Sequence, residues 1–192
     1  MNNWSPSSVY LALLHHPVKN KNGETIASAV TNLDLHDLSR LAKTYGVTAV
    51  YVITPLTDQQ ALVRKIISHW QDGWGATYNP KRREALNLIR IAENLESAID
   101  EIRTLNPAQL VRTIATGAAE NSRAMPFDLL RQKMASETGA YLLVLGTAWG
   151  LTDEVMAASD FLLSPIRGHT SYNHLSVRAA AAIILDRVLG ME

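Results

Sequence analysis

Along most of the chain, short uninterrupted apolar runs alternate with longer stretches in which every third or fourth position is apolar. The short runs cover residues 9–14, 49–53, 141–145 and 161–163, and two more, 88–91 and 110–115, are broken only by Arg90 and by Arg112-Thr113. Each is too brief for a helix, and none alternates apolar with polar, so they read as strands buried on both faces of a sheet. The longer stretches predict helices at 35–45, 58–70, 95–105, 127–137 and 176–189. Their apolar stripes are Leu35, Leu38, Leu41 and Ala42, then Leu62, Ile66 and Ile67, then Ile99, Ile102 and Leu105, then Leu129, Leu130 and Met134. Asp34 or Asn32 is a candidate cap of the first helix, Gly46 its stop, and Gly139 the stop of the fourth. Residues 18–23 read as a polar turn, 26–30 as a short extended piece, and 71–83 as a loop; a helical turn near Ala85 leads into the strand at 88–91. No linker, repeat or low-complexity tract interrupts the series. The expectation is one α/β domain over residues 1–192, with a mostly parallel sheet and helices on both faces.

Two loops near the carboxyl end break this rhythm with glycine. One runs from Gly146 to Gly150 after the strand at 141–145; the other starts at Ser164-Pro165 and turns at Gly168 before the helix starting near Leu175 or Ser176. Glycines let backbone groups approach a ligand closely, and a helix start leaves unpaired donors. Leu145, Leu151 and Ile166 supply apolar walls, so the pair of loops is a candidate adenine pocket read by main-chain groups. Neither loop matches G-x-G-x-x-G or the P-loop pattern, and on spacing alone ordinary βα connections explain them equally well.

Composition narrows the classes. Eighteen Lys plus Arg balance eighteen Asp plus Glu, which argues against tight non-specific nucleic-acid binding while leaving room for a local basic face. Such a face is suggested at 71–83, where Trp74, Tyr78, Lys81, Arg82 and Arg83 interleave aromatics with cations, as RNA contacts do. A loop pinned by its own aromatics is the competing reading. The absence of cysteine excludes a disulfide framework and a Cys-based zinc site and suits a cytoplasmic protein. Residues 1–6 lack the basic start of a signal peptide. No apolar run approaches the roughly 18 residues of a membrane span, so no membrane partner is expected. His15-His16 lack acidic or Cys neighbours, and no metal is expected there.

The loop residues carry a resemblance. Leu143-Val144-Leu145-Gly146 with Gly150-Leu151, then Asp160, Pro165-Ile166-Arg167-Gly168 and Leu175-Ser176-Val177-Arg178-Ala179 resemble the motifs of the SpoU/TrmD (SPOUT) RNA methyltransferases. Within that superfamily they look most like a small bacterial subgroup of predicted S-adenosylmethionine-dependent enzymes. Arg40 followed by Tyr45-Gly46-Val47 stands where the family places Arg and then Phe-Gly-Val. The resemblance implies a deep trefoil knot in the C-terminal part, about 140–192, where pattern alone suggests an ordinary doubly wound sheet. It also implies a homodimer formed through the last helix, whose Ala179 to Ala182 are small.

By the same resemblance, S-adenosylmethionine is bound by Leu145, Gly146, Thr147, Gly150, Ile166, Gly168, His174, Leu175 and Ser176, with Tyr172 and Asn173 alongside. Arg40 is the implied activator, and Asp34, Asp37 or His174 the proton acceptor. The implied reaction is direct methyl transfer to RNA, with tRNA the expected substrate and either guanine N1 or a ribose 2'-hydroxyl as acceptor. The chain departs from the pattern in its first loop, where Ala148-Trp149 stand and the acidic residue is missing, and at His174, where the family has Asn. A catalytically inactive member that binds a nucleotide or a partner protein is therefore the rival, and a nicotinamide enzyme is disfavoured by the missing glycine fingerprint.

Overall fold

β1 (Ser8–Leu14) forms the middle of the molecule because neither of its faces tolerates water. Its odd residues Val9, Leu11 and Leu13 pack with Leu38, Ala42, Leu130, Met134, Ala181 and Leu185. The even residues Tyr10, Ala12 and Leu14 pack on the other side with Ala98, Ile102 and Val155. A strand alternates its side chains with period two, so an unbroken apolar run needs helices on both sides. The computed structural model describes residues 7–191; the segment 1–6, examined for a signal, lies outside the described residues.

The strands β4 (Ala49–Ile53), β5 (Ile89–Ala92), β6 (Val111–Ala115), β8 (Ala140–Gly146) and β9 (Phe161–Leu163) follow the expected runs within a residue or two. With β7 (Ala124–Met125) they assemble in the order β5-β4-β1-β8-β6-β9-β7, and every neighbouring pair is parallel. Leu14 aligns with both Ile53 and Gly146, and Ala115 with Val144, so β4, β1, β8 and β6 end along one edge of the sheet. α1 (Asn32–Tyr45), α6 (Phe127–Ser136) and α8 (Val177–Leu189) cover one face, and α5 (Leu95–Leu105) and α7 (Asp153–Ala158) the other. A third apolar group, Val52, Val63, Leu86 and Ile89, lies beneath α2 (Thr57–Gln71) and α4 (Pro80–Leu86). The expected mostly parallel α/β sheet is thus observed. No helix among the described residues is long and apolar enough to cross a membrane.

Several local expectations change. The turn at 18–23 is flanked by a hairpin, β2 (Val18–Lys19) against β3 (Thr25–Ile26), closed by Gly23 at φ 82°. The cap of α1 is Thr31, not Asn32 or Asp34. Its hydroxyl accepts from the Asp34 N–H at 3.3 Å and donates to Asp34 Oδ2 at 2.6 Å, so one side chain both caps the helix and holds the Asp34 carboxylate. Gly46 ends α1 at φ 71°, as expected. Residues 71–83 are no loop: α3 (Trp74–Tyr78) and α4 occupy them, and Asn79 caps α4 through the Arg82 N–H. The fourth expected helix, α6, stops at Ser136 before Gly139, with an extended Glu137. β7 and α7, both short, escaped the periodic reading.

Candidate active site

The two glycine loops are not neighbours. β6 stands between β8 and β9, so the space between the loops lies over the carboxyl end of β6, where Thr116, Gly117 and Ala118 follow the strand. Thr116 is buried and donates to the Val144 carbonyl at 3.0 Å. That fixes the β6 end to β8 and leaves the Gly117 and Ala118 main chain exposed.

The first loop is held by the end of β1 and the hairpin. The Thr147 N–H and hydroxyl both donate to the Leu14 carbonyl, at 3.2 and 2.9 Å. The Trp149 N–H bonds the Lys19 carbonyl at 3.0 Å, and the Lys19 N–H bonds the Gly150 carbonyl at 2.9 Å. Gly150 is left-handed at φ 98°, and Ala148 takes φ 51°. Gly146 is required by the loop itself, since a Cβ there would come within 2.7 Å of the Leu151 nitrogen. Gly168 differs: a Cβ would meet nothing within 4 Å.

The second loop continues as a strap of coil from Ser164 to Ser176. Asn173 anchors it to the sheet edge, its amide donating to the Ala118 carbonyl at 2.9 Å. Arg167 pairs with Glu120 of the β6–β7 connection. Among the described residues, no backbone–backbone hydrogen bond involves residues 165–175. The strap therefore offers most of its peptide groups to solvent or ligand, the Tyr172 N–H donating to the Thr170 hydroxyl at 3.3 Å, whereas the first loop spends several of its own internally. Tyr172 and His174 meet edge to face at 5.4 Å, with Tyr172 largely exposed. Ser176 then caps α8 through the Ala179 N–H at 3.3 Å. Asp160 is absorbed by structure: its carboxylate accepts from the Thr113 N–H and hydroxyl at 2.7 and 2.9 Å, locking β9 to β6.

Of the expected catalytic groups, Asp34 and Asp37 converge on a residue sequence reasoning overlooked. Arg178 Nη1 donates to Asp34 Oδ1 at 2.7 Å, and its Nε lies 3.2 Å from Asp37 Oδ2. Asp34 is buried, and this guanidinium together with Thr31 satisfies its carboxylate. Helical spacing from Asp34 and Asp37 to an Arg just after Ser176 could not have revealed the pair, because it joins residues 144 positions apart. Arg40 lies elsewhere on α1, exposed and near His36. His174 sits on the strap. The four are not drawn into one cluster within the chain.

His15 closes the edge from below and is fully buried. Its Nδ1 is 3.0 Å from Ser28 Oγ, which is 2.5 Å from Thr147 Oγ1. Thr147 gives its single hydroxyl proton to Leu14, so Ser28 donates to Thr147 and accepts from His15 Nδ1–H. Nε2 has no hydrogen-bond partner among the described residues. Burial lowers the pKa of His15 to about 4, against the opposing pull of Asp34. The imidazole is neutral and braces the first loop through two hydroxyls.

A cavity of about 490 Å³ opens beside the strap, lined by Glu120, Asn121, Phe127, Ser164, Arg167 and Arg187 among others. None of the expected cofactor residues lines it. The expected RNA-contacting aromatics Trp74 and Tyr78 stack on each other at 4.7 Å, both about 70 % exposed. Arg82 lies over Trp70 instead, 4.7 Å from the ring centre, and Lys81 and Arg83 are exposed on α4.

Residues 8–190 match a family described as SAM-dependent RNA methyltransferase. A tRNA (guanine-N(1)-)-methyltransferase of Oleidesulfovibrio alaskensis is 43 % identical over 185 residues, 95 % of this chain and 42 % of that protein. The chain thus spans about two fifths of the length of such curated relatives. An uncharacterized protein of Aquifex aeolicus is 34 % identical over 181 residues, 94 % of this chain and 88 % of that one. Among solved structures, the SpoU methyltransferase AviRb of Streptomyces viridochromogenes in complex with AdoMet superposes with a TM-score of 0.58 at 16 % identity. That match covers 96 % of this chain and 57 % of that one, and it bears out the fold.

Proposed function

Because this chain belongs to the SAM-dependent RNA methyltransferase family, we propose that it methylates tRNA at the sheet edge formed by β8, β6 and β9. The observation that carries the assignment is the strap. Its main chain from 165 to 175 makes no backbone–backbone bond among the described residues, yet it is anchored over the β6 end by Asn173. Such a run, in which the Tyr172 N–H alone is bonded to a side chain, at Thr170, lies beside apolar Leu145, Leu151 and Ile166 and fits an adenosine held by peptide groups.

The residues that would hold the cofactor are Leu145, Gly146, Thr147, Gly150, Ile166, Gly168 and the stretch Tyr172 to Ser176, to which the geometry adds Thr116, Gly117 and Ala118. When bound, S-adenosylmethionine supplies an electrophilic methyl group on a sulfonium. The chain contributes positioning of the acceptor and removal of its proton. Asp34 and Asp37, both committed to Arg178, serve as positioning residues that join α1 to the strap's end. His174, exposed on the strap, is the better proton acceptor, with Arg40 orienting the RNA.

In this reading the strap and α8 form the trefoil knot of the superfamily. Ala182 and Ile183, on the less buried side of α8, face a second copy, and the enzyme works in the cytoplasm. The curated relatives carry guanine N1 in their names, and that acceptor is favoured over a ribose hydroxyl.

The test is direct. RNA from a strain lacking this protein is incubated with the purified chain and methyl-labelled cofactor, and its nucleosides are resolved by mass spectrometry. Label in 1-methylguanosine is expected; label in a 2'-O-methyl nucleoside would move the acceptor, and no label in any RNA would leave the rival, an inactive binding module. Light scattering at micromolar concentration tests the dimer.

A further inference from the structure

The groove between α1 and α2 lies apart from the strap and holds features the methyl-transfer site leaves unused. It encloses about 350 Å³ and is lined by Asn32, Leu62, Lys65, Ile66, His69 and Trp70. That volume falls within the roughly 300–1,000 Å³ of small-ligand clefts. The composition is two-sided: Leu62, Ile66 and the Trp70 ring are apolar, while Lys65, His69 and Asn32 are polar and accessible. Asn32 opens α1 two residues before Asp34, and the Val30 N–H is tied to Gln59 of α2 at 2.8 Å.

Its surroundings are electropositive. Arg82 covers the Trp70 ring, and the imidazoles of His36 and His69 meet that ring edge-on at 5.4 and 5.3 Å. His36 is held below the ordinary histidine range first by burial, then by the charge of Arg82, with Asp37 opposing and Arg40 adding to the effect. Two buried polar atoms here, His36 Nδ1 and Arg82 Nε, have no partner. Among the described residues, Arg40, Lys65, Lys81, Arg82 and Arg83 form no salt bridge. The acids of α1 and α4 are meanwhile neutralised: Asp34 and Asp37 by Arg178, and Glu84 by Lys43. Lys65 on the groove's lining and Arg82 over the Trp70 ring thus have no acidic partner among the described residues, while the acids of α2, Asp58 and Asp72, stand at that helix's two ends.

We propose that this groove seats one unpaired nucleotide of the RNA substrate, away from the methylated position. Its base lies against Leu62, Ile66 and Trp70, and its phosphate is met by Lys65 and the α4 arginines. Arg82 already lies over the Trp70 ring, so the base is held by apolar contact with Leu62, Ile66 and Trp70 rather than by stacking, and the unpaired cations beside it suit the phosphate of a single-stranded nucleotide. The inference rests on the RNA-methylating reading only for the identity of the polyanion.

Binding of a fluorescently labelled single-stranded oligoribonucleotide, followed by anisotropy across a salt series, tests the groove without any methyl transfer. Lys65→Ala, an exposed change, is expected to weaken binding several-fold and to lower the slope of log K against log salt by about 0.7. Trp70→Leu is expected to weaken the intact oligonucleotide while leaving an abasic one of equal length unaffected. Lys21→Ala, on the hairpin, should change neither quantity. Unaltered affinity and slope in Lys65→Ala, or no binding by the unmodified chain, overturns the groove. A chain that binds with these slopes yet labels no RNA sinks the enzymatic reading and spares the groove; one that labels RNA while Lys65→Ala binds normally does the reverse.

Discussion

Acidification should destabilise this protein through one imidazole, and His15→Gln isolates it. In the native chain, burial keeps His15 neutral down to about pH 4; in the unfolded chain the same ring takes a proton near 6.5. Between those values the unfolded state binds more protons than the native one, so stability must fall as the pH falls through that window. Each unit of depression corresponds to about 1.4 kcal/mol, which makes the full loss on the order of 3 kcal/mol. That is a large share of the roughly 5–15 kcal/mol by which domains are stable.

Denaturant unfolding followed by circular dichroism, repeated at intervals from about pH 7 to about pH 4, measures it in the unmodified chain and in His15→Gln. Carboxylates common to both cancel in the difference. His15→Gln is expected to be less stable at neutral pH by about 1–3 kcal/mol, because the bond to Ser28 is disturbed. Its disadvantage should shrink or reverse on acidification, by about 3 kcal/mol across the window. A difference that stays flat from pH 6.5 to pH 4 would refute the argument, since it would mean that the imidazole titrates alike in both states.

Further outcomes follow from the loops, the ion cluster and the core. Gly168→Val should abolish S-adenosylhomocysteine binding in calorimetry with thermal stability unchanged, since a side chain there enters open space. Gly146→Val should instead lower stability by about 1–3 kcal/mol, because the Leu151 backbone stands in the way; intact binding in Gly168→Val would remove the strap from the cofactor site. Arg178→Ala leaves buried Asp34 with Thr31 alone and should cost about 1–3 kcal/mol, and a double-mutant cycle with Asp34→Asn should show coupling well above zero. Leu185→Ala, fully buried against the sheet, should cost about 2–5 kcal/mol in denaturant unfolding.

The long periodic segments were legible because their period is local. α5 spans the residues its apolar stripe marks, and β4 matches its run end for end. Thr31 as a cap, and the two helices at 74–86, were less so. A threonine one residue ahead of an Asn and three ahead of an Asp is an inconspicuous cap signal, and α3 is anchored by contacts between Gly73, Gly75 and the α2 end that only close approach reveals. Trp74 and Tyr78 were singled out as RNA contacts, but that Trp70, not Tyr78, is the ring under Arg82 depends on how α2 and α4 cross.

What the chain's order of residues determined by itself was the material: two-sided strands demanding a covered parallel sheet, glycine loops at strand ends, and motif residues enough to identify the family. What only the tertiary structure decided was adjacency. Strand order inserts β6 between the two glycine loops, and pairing across 144 positions commits Asp34 to Arg178. Periodicity reports which face of an element is buried, because that follows from backbone geometry within a few residues. Which elements then meet depends on how seven strands share one sheet, and no local pattern encodes it.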